Sequence, residues 1–296
     1  MAHEHHHHEV KGQRLFWTII LNLSISIAEL VGGLISGSIA LISDAIHNFS
    51  DVLSLVISYI ANKLTHKSAS EKHTFGYKRS EILAAFFNSA TLLILAFFIL
   101  YEGVLRFFEP KQITPNLVIY LSIGSILVNA ISVLFIQKDA KDNINMKSAY
   151  LHLFSDMLTS IAVLIGGILM KYYHIYWIDS LFSAVIALYL MYMSWGIFKS
   201  SLKIIMQFTP EDINLKNIAN EIEEISDIKN IHHIHIWQIN EHDIMFEAHI
   251  DLEKNIKITD FEQIKEQIEM ILKKYHIYHI TLQPEFSVED SKQIIH

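Results

Sequence analysis

Two histidine–aspartate pairs are the residues of this chain best suited to chemistry. His47 precedes Asp51 by four residues in the segment His47-Asn48-Phe49-Ser50-Asp51. His152 precedes Asp156 by four in His152-Leu153-Phe154-Ser155-Asp156. On a helix, that spacing puts an imidazole and a carboxylate on one face, one turn apart. Two such pairs offer four nitrogen and oxygen ligands, the number a tetrahedral zinc ion takes. The chain has no cysteine, so disulfides and thiolate ligation are excluded. Soft-metal binding must then use its 18 histidines and its carboxylates. A single His-x-x-x-Asp pair serves equally well as a hydrogen bond between helices. The second copy turns the reading toward a metal.

Both pairs lie in apolar runs. The chain is 51% hydrophobic and 18% charged, and six stretches approach the roughly 20 residues that a bilayer requires. They are expected at Leu15–Ile35, Ile39–Asn62, Ile82–Phe107, Leu117–Ile136, Ala149–Met170 and Ile178–Phe198. An ionisable side chain inside such a span is costly and marks a functional site. Lysine and arginine are unevenly spread: twelve fall on the side of the termini, and only Arg106, Lys111 and Lys171 on the other. By the positive-inside rule both termini are cytoplasmic. The two His/Asp motifs then run in opposite directions three helices apart, the mark of an inverted repeat. Glu29 and Asp44 are further intramembrane acids, read as outer support of the ligands or as a proton path. His73, in the loop after the second span, is a candidate for a weak loop site. No signal-peptide pattern is apparent.

Charge divides the chain. Residues 1–207 carry 13 acidic and 15 basic side chains, net +2, while 208–296 carry 18 and 8, net −10. The expected organisation is a His-rich cytoplasmic tail over 1–13, a six-helix transmembrane domain over 14–207 and a cytoplasmic α+β domain over 208–296. In the last, helical periodicity over Ile213–Ile225 is followed by alternating runs at Ile231–Ile239 and Ile244–Leu252, with Asn240–Asp243 as the turn. A helix over Thr259–Tyr275, capped at Thr259-Asp260, and a strand over Tyr278–Glu285 complete an α-β-β-α-β order. Strict alternation puts His233 and His235 on one face and His232 on the other. His232, His235, His249 and Glu285 form a second candidate metal set, regulatory in character. The domain is too short and too acidic to suggest a nucleic-acid partner.

Together these features resemble the cation diffusion facilitator family, in its zinc-transporting branch. The resemblance rests on Gly37-Ser38-Ile39-Ala40 through Asp44, His47 and Asp51, and on His152 through Asp156. It extends to Phe75-Gly76-Tyr77-Lys78-Arg79-Ser80-Glu81, His232 through Trp237 and Thr281-Leu282-Gln283-Pro284-Glu285. It implies a homodimer of six-helix subunits with metallochaperone-like cytoplasmic domains, in the cell (inner) membrane. It also implies export of a divalent cation against protons by alternating access, with His47, Asp51, His152 and Asp156 as the transport site. The chain departs from the family pattern at Ser70, His73 and Tyr77, where further loop ligands stand in some members. It departs again at Gln207, in place of an acid, and at Leu282 and Pro284.

Ligand chemistry points the same way. Neutral imidazole and ionised carboxylate suit zinc better than magnesium or calcium, which prefer all-oxygen shells. Binding displaces imidazole protons, and protons re-entering release the metal. Export of manganese, iron, cadmium or cobalt is the nearest alternative. A membrane-embedded zinc hydrolase ranks lower, because the His-Glu-x-x-His signature is absent. A metal sensor ranks lower too, since no output domain follows Glu285.

Overall fold

The computed structural model describes residues 4–65, 67–136, 144–240, 242–289 and 291–295. Within them, the side chains of 4–18, 54–55, 58–59, 62, 135–136 and 144–152 lie outside the description. Six long helices come first: α1 (Glu4–Ser36), α2 (Ile39–Thr65), α3 (Ser80–Phe108), α4 (Pro115–Ile136), α5 (Ile144–Tyr173) and α6 (Trp177–Ile205). By their internal contacts, Met1–Ile60 and Phe87–Phe198 form one compact unit, and Ala61–Phe86 with Lys199–His296 a second. Helix α1 starts at Glu4, earlier than the span expected from Leu15, and runs through most of the histidine-rich segment.

Among the described residues, five helices, α1 and α3–α6, contain stretches long and apolar enough to cross a membrane. Helix α2 has the length, 27 residues, and carries Asp44, His47 and Asp51. The buried centre of this unit is built by Leu41 of α2, Ala96 of α3, Val118 of α4, Val163 of α5 and Leu190 of α6. Large apolar side chains such as Phe87, Phe98, Tyr120, Leu134 and Tyr192 are exposed, as expected of faces that meet lipid rather than water.

The first turn of α2 is fixed from two other helices. Gly37 sits at φ +78°, where a side chain would be strained. Its N–H donates to Gly33 O at 2.9 Å, and its own carbonyl accepts from Arg106 Nη1 of α3 at 2.6 Å. Asp179, at the start of α6, accepts the N–H of Ile39 at 2.8 Å and of Ala40 at 3.4 Å. The Ser38 hydroxyl also bonds Asp179 and accepts Leu41 N–H at 3.1 Å. One buried carboxylate thus satisfies amide groups that a helix start leaves without intrahelical partners.

The second unit contains α7 (Leu215–Glu223), β1 (Ile228–Gln238), β2 (Ile244–Leu252), α8 (Ile258–Lys273) and β3 (Ile277–Glu285). The order is the α-β-β-α-β expected. The sheet runs β1-β2-β3, antiparallel between β1 and β2 and parallel between β2 and β3. A parallel neighbour requires a crossover, and α8 supplies it. Phe246, Ala248 and Ile250 alternate on one fully buried face of β2, in a core with Ile218 and Ile222 of α7 and Ile268 and Leu272 of α8. Asn240 closes the β1–β2 turn by accepting the N–H of His242 and Asp243.

Two local expectations need correction. The N-cap of α8 is Lys257, with no side-chain cap; the Thr259 hydroxyl instead contacts Asp260 Oδ1 at 3.3 Å. Strict alternation along β1 fails as well. The register slips by one residue between His232 and His235, and His233 takes φ +52°. Ile231 and Ile234, three residues apart, consequently both face the core, while His232 and His233 both lie against the His249 ring, the signature of a bulge.

Replacing Asp179 by alanine should strip the start of α2 of its cap and destabilise the protein by about 1–2 kcal/mol. Thermal denaturation of detergent-solubilised protein should show a lower midpoint for Asp179→Ala, with Asp179→Asn in between. A midpoint equal to wild type in both would mean that the cap contributes nothing.

Candidate metal centres

One constellation lies among the long helices. The His47 ring stands between two carboxylates: Nδ1 is 3.4 Å from Asp51 Oδ2, and Nε2 is 3.4 Å from Asp156 Oδ1 of α5. The side chains of His47 and Asp156 are 9% and 4% exposed and that of Asp51 is 31% exposed, so the group is enclosed with one acid at its open side. Their ligand atoms all fall within 4.8 Å of one another, a metal-sized cluster. Three of the four expected ligands therefore gather. His152 lies one helical turn before Asp156 on α5, with its side chain outside the described residues.

A ring of hydroxyls backs this cluster. Asp44, wholly buried, accepts Thr159 Oγ1 and Ser160 Oγ, each at 3.0 Å. Ser160 Oγ also lies 3.0 Å from Ser125 Oγ of α4. Glu29 of α1 accepts from Asn48 Nδ2 at 3.5 Å. Neither Asp44 nor Glu29 is among the clustered ligands. The edge of the Tyr189 ring of α6 faces His47, with centroids 6.1 Å apart. Sequence reading missed Thr159, Ser160, Ser125 and Tyr189. The one available signal was hydroxyls at positions three and four after Asp156, which share its helix face.

The second constellation is in the sheet. His249 Nδ1 is 2.7 Å from Glu285 Oε1, and His232 Nε2 is 3.3 Å from Glu285 Oε2. These three also offer ligand atoms within 4.8 Å of one another. His232 and His249 are register partners on β1 and β2, and Glu285 ends β3. The bulge carries the His233 ring onto His249 as well, stacked at 4.7 Å. His235 stands opposite Glu247, one register pair along the strands from His249, and is exposed; its inclusion in this set is corrected, because that displacement keeps it out of the clustered ligand atoms. His73 belongs to neither cluster. Its Nδ1 lies 3.3 Å from the Ser70 hydroxyl and its ring stacks on Tyr77 at 5.0 Å, which uses it within its own loop.

Lys78 meets Asp243 at 2.9 Å. Partial burial opposes ionisation of Asp243, but Lys78 and Asn240 outweigh it and hold the carboxyl below its ordinary range.

Comparison with known proteins agrees with both halves of this picture. The profile of the cation efflux transmembrane domain matches residues 15–206, and that of the cation efflux protein cytoplasmic domain matches 210–296. A cadmium, cobalt and zinc/H(+)-K(+) antiporter of Bacillus subtilis is 35% identical over 95% of this chain and 91% of its own length. The metal cation efflux system protein CzcD of Cupriavidus metallidurans is 32% identical over 97% and 90%. The zinc transporter ZitB of Pectobacterium atrosepticum is 30% identical over 97% and 89%.

Removing a carboxylate from either cluster should weaken zinc binding at that cluster alone. Calorimetric titration of the purified protein should lose one class of sites with Asp156→Ala and another with Glu285→Ala. Asp44→Asn, which only loosens the support, should weaken the first by about 10–100-fold. Full retention of both classes in all three variants would contradict the two-cluster assignment.

Proposed function

Since the chain belongs to the cation efflux family of membrane transporters, we propose that it exports zinc in exchange for protons by alternating access. The observation that carries this reading is the placement of the His47 ring between Asp51 and Asp156. In that geometry a protonated ring directs one N–H to each carboxylate, so the metal-free site holds a cation of its own. A zinc ion needs one of those nitrogens as a lone pair. Metal and ring protons are therefore alternatives at one place, and loading with one discharges the other. Asp51, Asp156 and His47 bind the metal, with His152 as the fourth ligand. Asp44 orients α5 against α2 through Thr159 and Ser160. The hydroxyl chain from Asp44 through Ser160 to Ser125 offers protons a route among the helices, because each serine can both donate and accept. Both termini and the sheet domain lie in the cytoplasm, and the membrane is the cell (inner) membrane.

Zinc is the substrate of this reading; cadmium and cobalt, named for the Bacillus relative, share its tolerance of imidazole ligands. The protein works as a homodimer, pairing through the cytoplasmic domain, whose family profile carries dimer formation in its designation. The chemistry is translocation, and no substrate bond is broken.

Competition between metal and proton sets a sign. Imidazole ordinarily titrates near about 6.5, so lowering the pH on the loading side protonates the ring and reduces loading. Zinc uptake into proteoliposomes should fall as loading-side pH drops from about 8 to about 6. His47→Asp exchanges the ring for an oxygen ligand that stays ionised across that range. The variant should transport with a shallower pH dependence and with cadmium or manganese flux raised relative to zinc. Unchanged ion ratios together with an unchanged pH profile would sink His47 as a ligand.

A further inference from the structure

The sheet cluster contains a cation already, and the chain supplies it. Lys292 places its ammonium 3.3 Å from Glu285 Oε2, 3.5 Å from His232 Nε2 and 3.7 Å from Asp251 Oδ2. Two of those three groups, Glu285 and His232, belong to the three-residue metal-sized cluster. Glu285 and Asp251, opposite each other on β3 and β2, have side chains only 5% and 4% exposed. Two buried carboxylates side by side repel one another and are costly to desolvate, unless a positive charge sits between them.

The segment that delivers Lys292 is fastened in place. β1 is an edge strand of the sheet, so one row of its backbone groups is open to pairing. His233 N–H donates to Gln293 O at 3.2 Å, and Ile234 N–H to Ile294 O at 2.8 Å. Ile294 packs on the domain core. These contacts sit at the bulge, where His233 has φ +52°. The bulge thus turns His233 toward His249 and also shapes the edge that holds 293 and 294.

We propose that Lys292 is a built-in place-holder for the divalent cation of the cytoplasmic cluster, and that metal binding there releases the segment 291–295 from the edge of β1. The inference rests on reading His232, His249 and Glu285 as a metal site. A doubly charged ion bound to Glu285 and His232 cannot share that space with an ammonium: like charges at this separation repel strongly. The ammonium must leave, and the backbone that carries it is tied to β1 through the hydrogen bonds to Gln293 O and Ile294 O. Rising cytoplasmic metal is thereby converted into an uncovered strand edge at His233 and Ile234, next to the cluster. The lysine raises the metal concentration at which this happens and keeps the carboxylates compensated below it.

The test uses full-length protein in detergent carrying Asp156→Ala, so that the membrane cluster is weakened, with zinc alone as the probe. In this background Lys292→Met, which keeps the length of the side chain, should bind zinc at the cytoplasmic cluster about tenfold tighter or more. Hydrogen–deuterium exchange should show zinc accelerating exchange in peptides covering 231–236 and 291–295 of the Lys292-containing protein. Adding His232→Ala separates two failures. If His232→Ala removes this zinc binding while Lys292→Met leaves affinity and exchange unchanged, the metal site stands and the place-holder is refuted. If His232→Ala leaves zinc binding intact, the cytoplasmic metal site is refuted, and the place-holder with it.

Discussion

A carboxylate buried among apolar helices is the constraint on which the membrane part of this protein depends. Lipid tails are as apolar as leucine, so burial of apolar surface gives helices little reason to choose one neighbour over another. Buried acids give that reason, because each unpartnered charge or polar group costs several kcal/mol at order of magnitude. Asp44 of α2 finds Thr159 and Ser160 on α5, and Asp179 of α6 finds the start of α2. Away from the acids, Asn22 of α1 meets Ser132 of α4 at 3.3 Å. The helices are ordered by these polar seams, and the apolar residues fill what remains.

The sheet domain solves a similar problem by a different route. There the carboxylates Glu285 and Asp251 end or near the end of their strands, and their compensating charges are lysines, Lys292 and, for Asp251, also Lys229 at 3.7 Å. In the sheet the positive charge beside the acids is covalently part of the chain, whereas among the helices the group standing between Asp51 and Asp156 is the His47 ring.

Much of the plan could be read from residue order, because its signals are local. The four-residue interval of His47 and Asp51 and the apolar lengths are properties of a single segment. So are the alternation of Phe246, Ala248 and Ile250 and the Asn240 turn. What escaped reading depends on partners far along the chain or on backbone geometry. Asp44 meets hydroxyls 115 and 116 residues away. His233 adopts a left-handed φ that nothing in the alternating His-Ile pattern announces, and the bulge there brings its ring onto His249. The Thr259-Asp260 pair looked like a helix start but lies inside α8, since its hydroxyl is engaged by its neighbour. Lys292 follows the last strand by a few residues and shows no motif; only the sheet edge gives it a place.

The fastening of the first turn of α2 has a mechanical side. With Arg106 and Asp179 gripping Gly37, Ile39 and Ala40, the helix behaves as a rod clamped at one end, and Asp51 stands twelve residues along it from Ile39. At about 1.5 Å per residue that is a lever arm of about 18 Å, so a tilt of about 10° swings Asp51 through about 3 Å. A zinc–oxygen bond is only about 2 Å long. A pivot small enough to leave the clamped end undisturbed therefore moves the Asp51 carboxylate by more than the length of such a bond.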